Sequence, residues 1–170
     1  MEKSILYLWE DLSNLNWEIP TVKLFIAREQ SSSMRLIGHL HPLLVHLPIG
    51  FLLLGMLFLW MSYKERYSTL GLAANISLVV GSNAALLACI TGYLLSLQEK
   101  YDKAMLGKHQ NLALLTTLLA MALLYVRFGK LHRGWTWLMM ILLLTGIVLT
   151  GHFGSSLTHG EGYLLRSWSH

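Results

Sequence analysis

Cysteine and charge are what this sequence has least of. Its single cysteine, Cys89, sits inside an apolar run. One thiol cannot close an internal disulfide, and it excludes zinc ribbons and iron–sulfur clusters bound by this chain alone. A small buried residue is its plainer role. Charged residues make up only 13% of the 170 positions, about half the share of an ordinary soluble domain. The Lys and Arg present are scattered and form no basic block, which excludes a nucleic-acid surface. The first 15 residues mix Glu2, Lys3, Glu10 and Asp11 with apolar side chains, so no cleavable signal peptide is expected. The spans contain no His-Glu-x-x-His motif, nucleophile triad, phosphate-binding loop or paired carboxylates, so nothing commits the chain to an enzymatic reaction.

Apolar residues are plentiful. They make up 54% of the chain, and mean hydropathy is +0.50. A soluble core of this size could not hide that much apolar surface, whereas lipid can cover it. A membrane span needs about 20 mostly apolar residues. Four segments qualify: Pro42 to Met61, Leu70 to Leu97, Asn111 to Val126 and Trp135 to His152. The third is short unless it begins at Lys108. The connections run from Ser62 to Thr69, Ser96 to Lys108 and Arg127 to Gly134. Connections this short make successive helices antiparallel neighbours. The expected fold is therefore all-α: an integral membrane up-down four-helix bundle. Residues 39–165 form the bundle domain, 1–38 an amphipathic N-terminal segment, and 166–170 a tail.

In the N-terminal segment Ile5, Leu8, Trp9, Leu12 and Leu15 recur at helical spacing. Such a helix would lie on the membrane surface or dock on a partner subunit. Ser31, Ser32 and Ser33 read as a hinge before the first span. The second span carries small residues every four positions, Ala73, Ser77, Gly81, Ala85 and Cys89, beside a row of Ala84, Ala88 and Gly92. Rows of this kind let helix backbones approach closely in lipid, or make room for a flat cofactor. Asn75, Ser82 and Asn83 are expected to hydrogen-bond across that seam.

The histidines are unevenly placed. In an up-down bundle the first span starts on one side, X, and ends on the other, Y. His39, His41 and His46 then lie at X with His109, His152 and His159, while His132 lies at Y. Polar side chains at membrane depth are costly and mark function. His46 is flanked on both sides by apolar sequence, which reads as burial. His41 and His46 differ by about 140° around a helix and cannot both reach one small ion. Pro48 should kink the helix and free the carbonyl of Leu44, while Pro42 suits a first turn, with His41 near the cap.

Imidazole is the commonest metal ligand, and a haem in a membrane bundle takes axial histidines from facing helices. The candidate cofactor is haem b, held by His46 with His109 or His152, with His41 and His159 as further candidates. The alternatives are a zinc or copper ion on His46, His109 and His152, and a structural subunit with no cofactor.

The stretch His39-Leu-His-Pro-Leu-Leu-Val-His-Leu-Pro-Ile-Gly50 resembles the opening of a bacterial family of four-helix membrane proteins. Gly151-His-Phe-Gly-Ser-Ser-Leu-Thr-His-Gly-Glu-Gly-Tyr163 resembles the close of the same family. Some members are fused to planctomycete-type cytochrome c domains and others to Rieske domains. By position the resemblance singles out His41, His46, Pro48, His109, His152, His159 and Gly160. It implies an inner-membrane protein working beside a cytochrome c or another periplasmic redox subunit, with membrane quinone as a candidate electron partner. The sequence holds no Cys-x-x-Cys-His motif, so such a partner would be a separate protein. The Y connections hold Lys64, Arg66, Arg127, Lys130 and Arg133 against Lys100, Lys103 and Lys108 at X, which favours Y inside. Arg28 and Arg35 argue the other way. The redox domains of the resembling family favour an outward, periplasmic X.

Overall fold

The computed structural model of the chain describes residues 32–129 and 132–160. Contacts divide the chain into two units, Met1–Arg35 and Leu36–His170, and the second is the bundle. The expected amphipathic helix and tail lie outside the described residues, as do both termini. The described part is helical. Two short helices, α1 (Ser32–His39) and α2 (His41–Leu44), lead into α3 (His46–Ser62). A single 3₁₀ turn at Glu65–Tyr67 precedes α4 (Leu70–Ser96), α5 (Lys103–Phe128) and α6 (Arg133–His159). Four spans follow: Arg35–Ser62, Leu70–Ser96, Lys103–Phe128 and Arg133–His159, each long and apolar enough to cross a membrane. Ser32 and Ser33 are helical, and Ser31, where the expected hinge begins, lies outside the described residues.

Pro48 shapes the first span as its chemistry requires. It has no N–H for the carbonyl of Leu44, and the helix is interrupted three residues earlier, at Val45. Pro42 sits in the first turn of α2, whose N-cap is Leu40.

The third and fourth helices are longer than their apolar runs. Helix α5 starts at Lys103 because the Asp102 carboxylate caps it, accepting from the Met105 N–H at 2.8 Å. His109 therefore lies nearly two turns inside α5 and does not begin it. Helix α6 continues past His152 to His159 and stops at Gly160, whose φ of +83° is a glycine conformation. The Ser156 hydroxyl donates to the carbonyl of His152 within its own helix, so this polar end remains helical.

Packing is greatest within two hairpins, α3 with α4 and α5 with α6, which meet mainly through α4 and α5. Helices α3 and α5, the cores of the first and third spans, are thus diagonal to one another. Leu52, Met56, Leu59, Ala74, Leu78, Ala120, Leu123, Met140 and Leu143 form the core. Outward leucines such as Leu53, Leu57, Leu72 and Leu118 stay exposed, as lipid-facing positions should. The small-residue seam on α4 is real. A Cβ on Gly81 would stand 2.9 Å from the Leu52 side chain, and one on Gly55 2.9 Å from Leu78. The polar expectations on α4 divide. Asn75 does bond across helices, accepting from Arg127 Nε at 3.2 Å. Asn83 instead donates to its own helix at Val79. The Ser82 hydroxyl is buried without a partner among the described residues.

This topology predicts sidedness. In a Cys89→Ala background, cysteines at Glu65 and His132 should be labelled by a membrane-impermeant thiol reagent from one face. A cysteine at Lys100 should be labelled from the other. Labelling of all three from one face would contradict a single crossing between Glu65 and Lys100 and another between Lys100 and His132.

Candidate functional site

Two histidines enter the bundle at side X, and His46 is not one of them. The inward face of α3 is given by its buried residues, Pro48, Leu52, Gly55, Met56 and Leu59. His46 precedes Pro48 by two positions, about 200° around the helix, and its ring is exposed. The burial expected for it is thus corrected: depth along the sequence says how far into the membrane a residue lies, not which way it faces. His41 precedes Pro48 by seven, two turns along the same face, and it is the half-buried ring. His109 follows the same rule on α5. It lies seven residues before buried Thr116 and is half-buried.

The two rings are held in the same way. His41 Nδ1 lies 3.3 Å from Thr91 Oγ1. The Thr91 hydroxyl donates its only proton to the carbonyl of Ala88 at 3.1 Å, so the ring N–H is the donor toward Thr91. His109 Nδ1 lies 3.1 Å from the carbonyl oxygen of Thr150, which can only accept. In both rings Nδ1 therefore carries the proton and Nε2 keeps its lone pair. Each ring also rests on a glycine of its hairpin partner. A Cβ at Gly92 would meet His41 Cε1 at 2.7 Å, and one at Gly154 would meet His109 Cε1 at 3.1 Å. Below them run further polar contacts between helices: Cys89 Sγ to Thr117 Oγ1 at 3.3 Å and Thr116 Oγ1 to Thr150 Oγ1 at 3.0 Å.

The other described histidines lie outside this pair. His39, His152 and His159 are exposed. His152 packs edge-on against Phe153 at 5.6 Å. His132, at side Y, caps α6 by accepting from the Gly134 N–H at 3.1 Å. Among the described residues no three His, Cys, Asp or Glu side chains come close enough to share a metal ion. The trio His46, His109 and His152 is not brought together, because His46 and His152 both face outward.

The sequence from residue 38 to 163 matches the predicted membrane protein family DUF2231. The chain belongs to this family. The match takes in α2 to α6 of this DUF2231 protein, including His41, Gly92, His109 and Gly154. No curated protein and no solved structure matches the chain. Four apolar helices and family membership together make it a membrane protein.

Proposed function

We propose that this DUF2231 protein is a membrane-embedded redox subunit that binds haem b at side X through His41 and His109. The single observation that carries it is the shared geometry of the two rings. Each comes from one of two diagonal helices, donates Nδ1–H to a partner on the neighbouring helix and keeps a bare Nε2. A ligating histidine has its second nitrogen fixed in this way, which sets the tautomer and raises ligand basicity. Glycines 92 and 154 bring the rings close against the helices behind them, and the hairpins carrying the two rings meet less closely than the helices within each. Lys100, Lys103 and Lys108 at the same end offer cations to haem propionates. His46 and His152, the earlier ligand candidates, face outward and suit contact with a partner better than a ligand bond. A bound haem would supply reversible one-electron transfer between quinone in the membrane and a cytochrome c or similar protein at a periplasmic X face of the inner membrane. A three-histidine zinc or copper site has less support, since only two imidazoles turn inward among the described residues.

The test is a titration of the purified protein with haemin. One equivalent should produce a sharp Soret band and the paired visible bands of a six-coordinate low-spin haem, while zinc and copper should bind no tighter than to a His41→Ala variant. Failure to bind haem, both as purified and on titration, would favour the cofactor-free structural subunit.

A further inference from the structure

The Y end carries a second kind of chemistry, independent of the histidines. Its two connections and their flanks hold five cations, Lys64, Arg66, Arg127, Lys130 and Arg133, against one carboxylate, Glu65. The connection at X is more balanced, with Lys100, Lys103 and Lys108 against Glu99 and Asp102. The described cations at Y are held by rings and an amide. Arg133 lies over the Tyr63 ring with its Cζ 3.8 Å from the centroid, and Tyr63 in turn packs on Trp137 at 5.7 Å. Arg127 is half-buried, gives its Nε–H to Asn75, and lays Nη2 against Gly71 at the start of α4, 3.7 Å from where a Cβ would stand. Among the described residues neither guanidinium meets a carboxylate. The first turns of α4 and α6, which begin here, carry no acidic residue either. Arg127 and Arg133, on either side of the α5–α6 turn, thus meet the two ends of the connection between α3 and α4, Arg127 at Gly71 and Asn75 and Arg133 at Tyr63, with no carboxylate partner among the described residues. Around them Trp60, Trp135, Tyr125 and Phe128 are exposed at the ends of apolar helices, where aromatic rings meet lipid headgroups.

We propose that Arg127 and Arg133 form a binding site for the phosphate of an anionic phospholipid, with the surrounding rings and outer leucines taking its acyl chains. The charge calls for an anion. Planar guanidinium groups suit phosphate oxygens. The apolar flanks make a lipid a better occupant than a soluble anion, and basic pockets between helices at a cytoplasmic face recognise such headgroups.

The experiment uses the full-length protein, delipidated in detergent and examined by native mass spectrometry with added lipid. Phosphatidylglycerol should be retained over phosphatidylcholine, and inorganic phosphate in excess should not displace it. Retention should fall about fivefold for each of Arg127→Gln and Arg133→Gln, while a Lys100→Gln, Lys103→Gln control at X stays at the wild-type level. Arg133 is exposed, so Arg133→Gln alone keeps the test available if Arg127→Gln does not fold. Equal retention of both lipids, wild-type retention by Arg133→Gln, or displacement by inorganic phosphate would overturn the proposal.

Discussion

Replacing His41 or His109 by alanine should abolish the six-coordinate haem spectrum, and replacing His46 should leave it intact. The proposed ligands are not interchangeable with their neighbours because, among the described residues, only these two rings enter the bundle with Nδ1 engaged and Nε2 bare. Losing an outer partner of a ligand typically costs about 10–100-fold in affinity. Losing the ligand itself should cost more, and Thr91→Val should fall within that lower range by removing the acceptor for the His41 N–H. His152→Ala and His132→Ala should be silent, since the first faces outward and the second caps α6 at the opposite end. The visible spectrum of each variant after haemin titration checks this. Equal losses in His46→Ala and His41→Ala would place the cofactor outside the bundle.

The largest structural effect should come from Gly81→Val. The α3–α4 seam is built from two reciprocal close approaches, Gly81 against Leu52 and Gly55 against Leu78, and in each the partner's backbone nitrogen would also lie 3.0 Å from an added Cβ. Leu52 and Leu78 are fully buried and cannot swing away. Overpacking of this kind costs about 1–3 kcal/mol, and here the backbone contact points to the upper end. The two helices must separate, and α3 is also what positions His41 over Gly92. Gly81→Val should therefore lower the thermal midpoint in detergent and weaken haem binding together. Gly50→Ala, on the same helix as Gly55 but with open space beside it, should do neither. Unchanged stability in Gly81→Val would show that the seam is looser than its geometry implies.

The fold was legible in the sequence because lipid imposes one dominant rule. A helix that spans must be apolar throughout, so four runs of apolar residues give four spans and their order. The same rule hides the rest. When every face of a helix is apolar, depth can be read but direction cannot, so the sequence favours His46 where the structure turns His41 inward. The signal that separates them is the seam, not the histidines. Gly55 and Pro48 lie seven apart on the inward stripe, and seven more leads to His41. On α5 the threonine and leucine at 116 and 123 lead back to His109 in the same way. Helix ends were hidden for a different reason. Lys103, Lys108, Ser155 and Ser156 end the apolar runs, yet a helix needs only satisfied backbone groups to continue. The Asp102 cap and the positive φ at Gly160 set the true limits. His109 could not have been seen over Gly154 without that extension of α6.

The most direct test of the site at side X is low-temperature electron paramagnetic resonance on ferric haem bound by the wild-type protein. Two axial imidazoles from His41 and His109 predict a low-spin signal, converted to high spin or lost in either alanine variant. A wild-type protein that takes up no haem, or that gives the same low-spin signal after both histidines are removed, would contradict it.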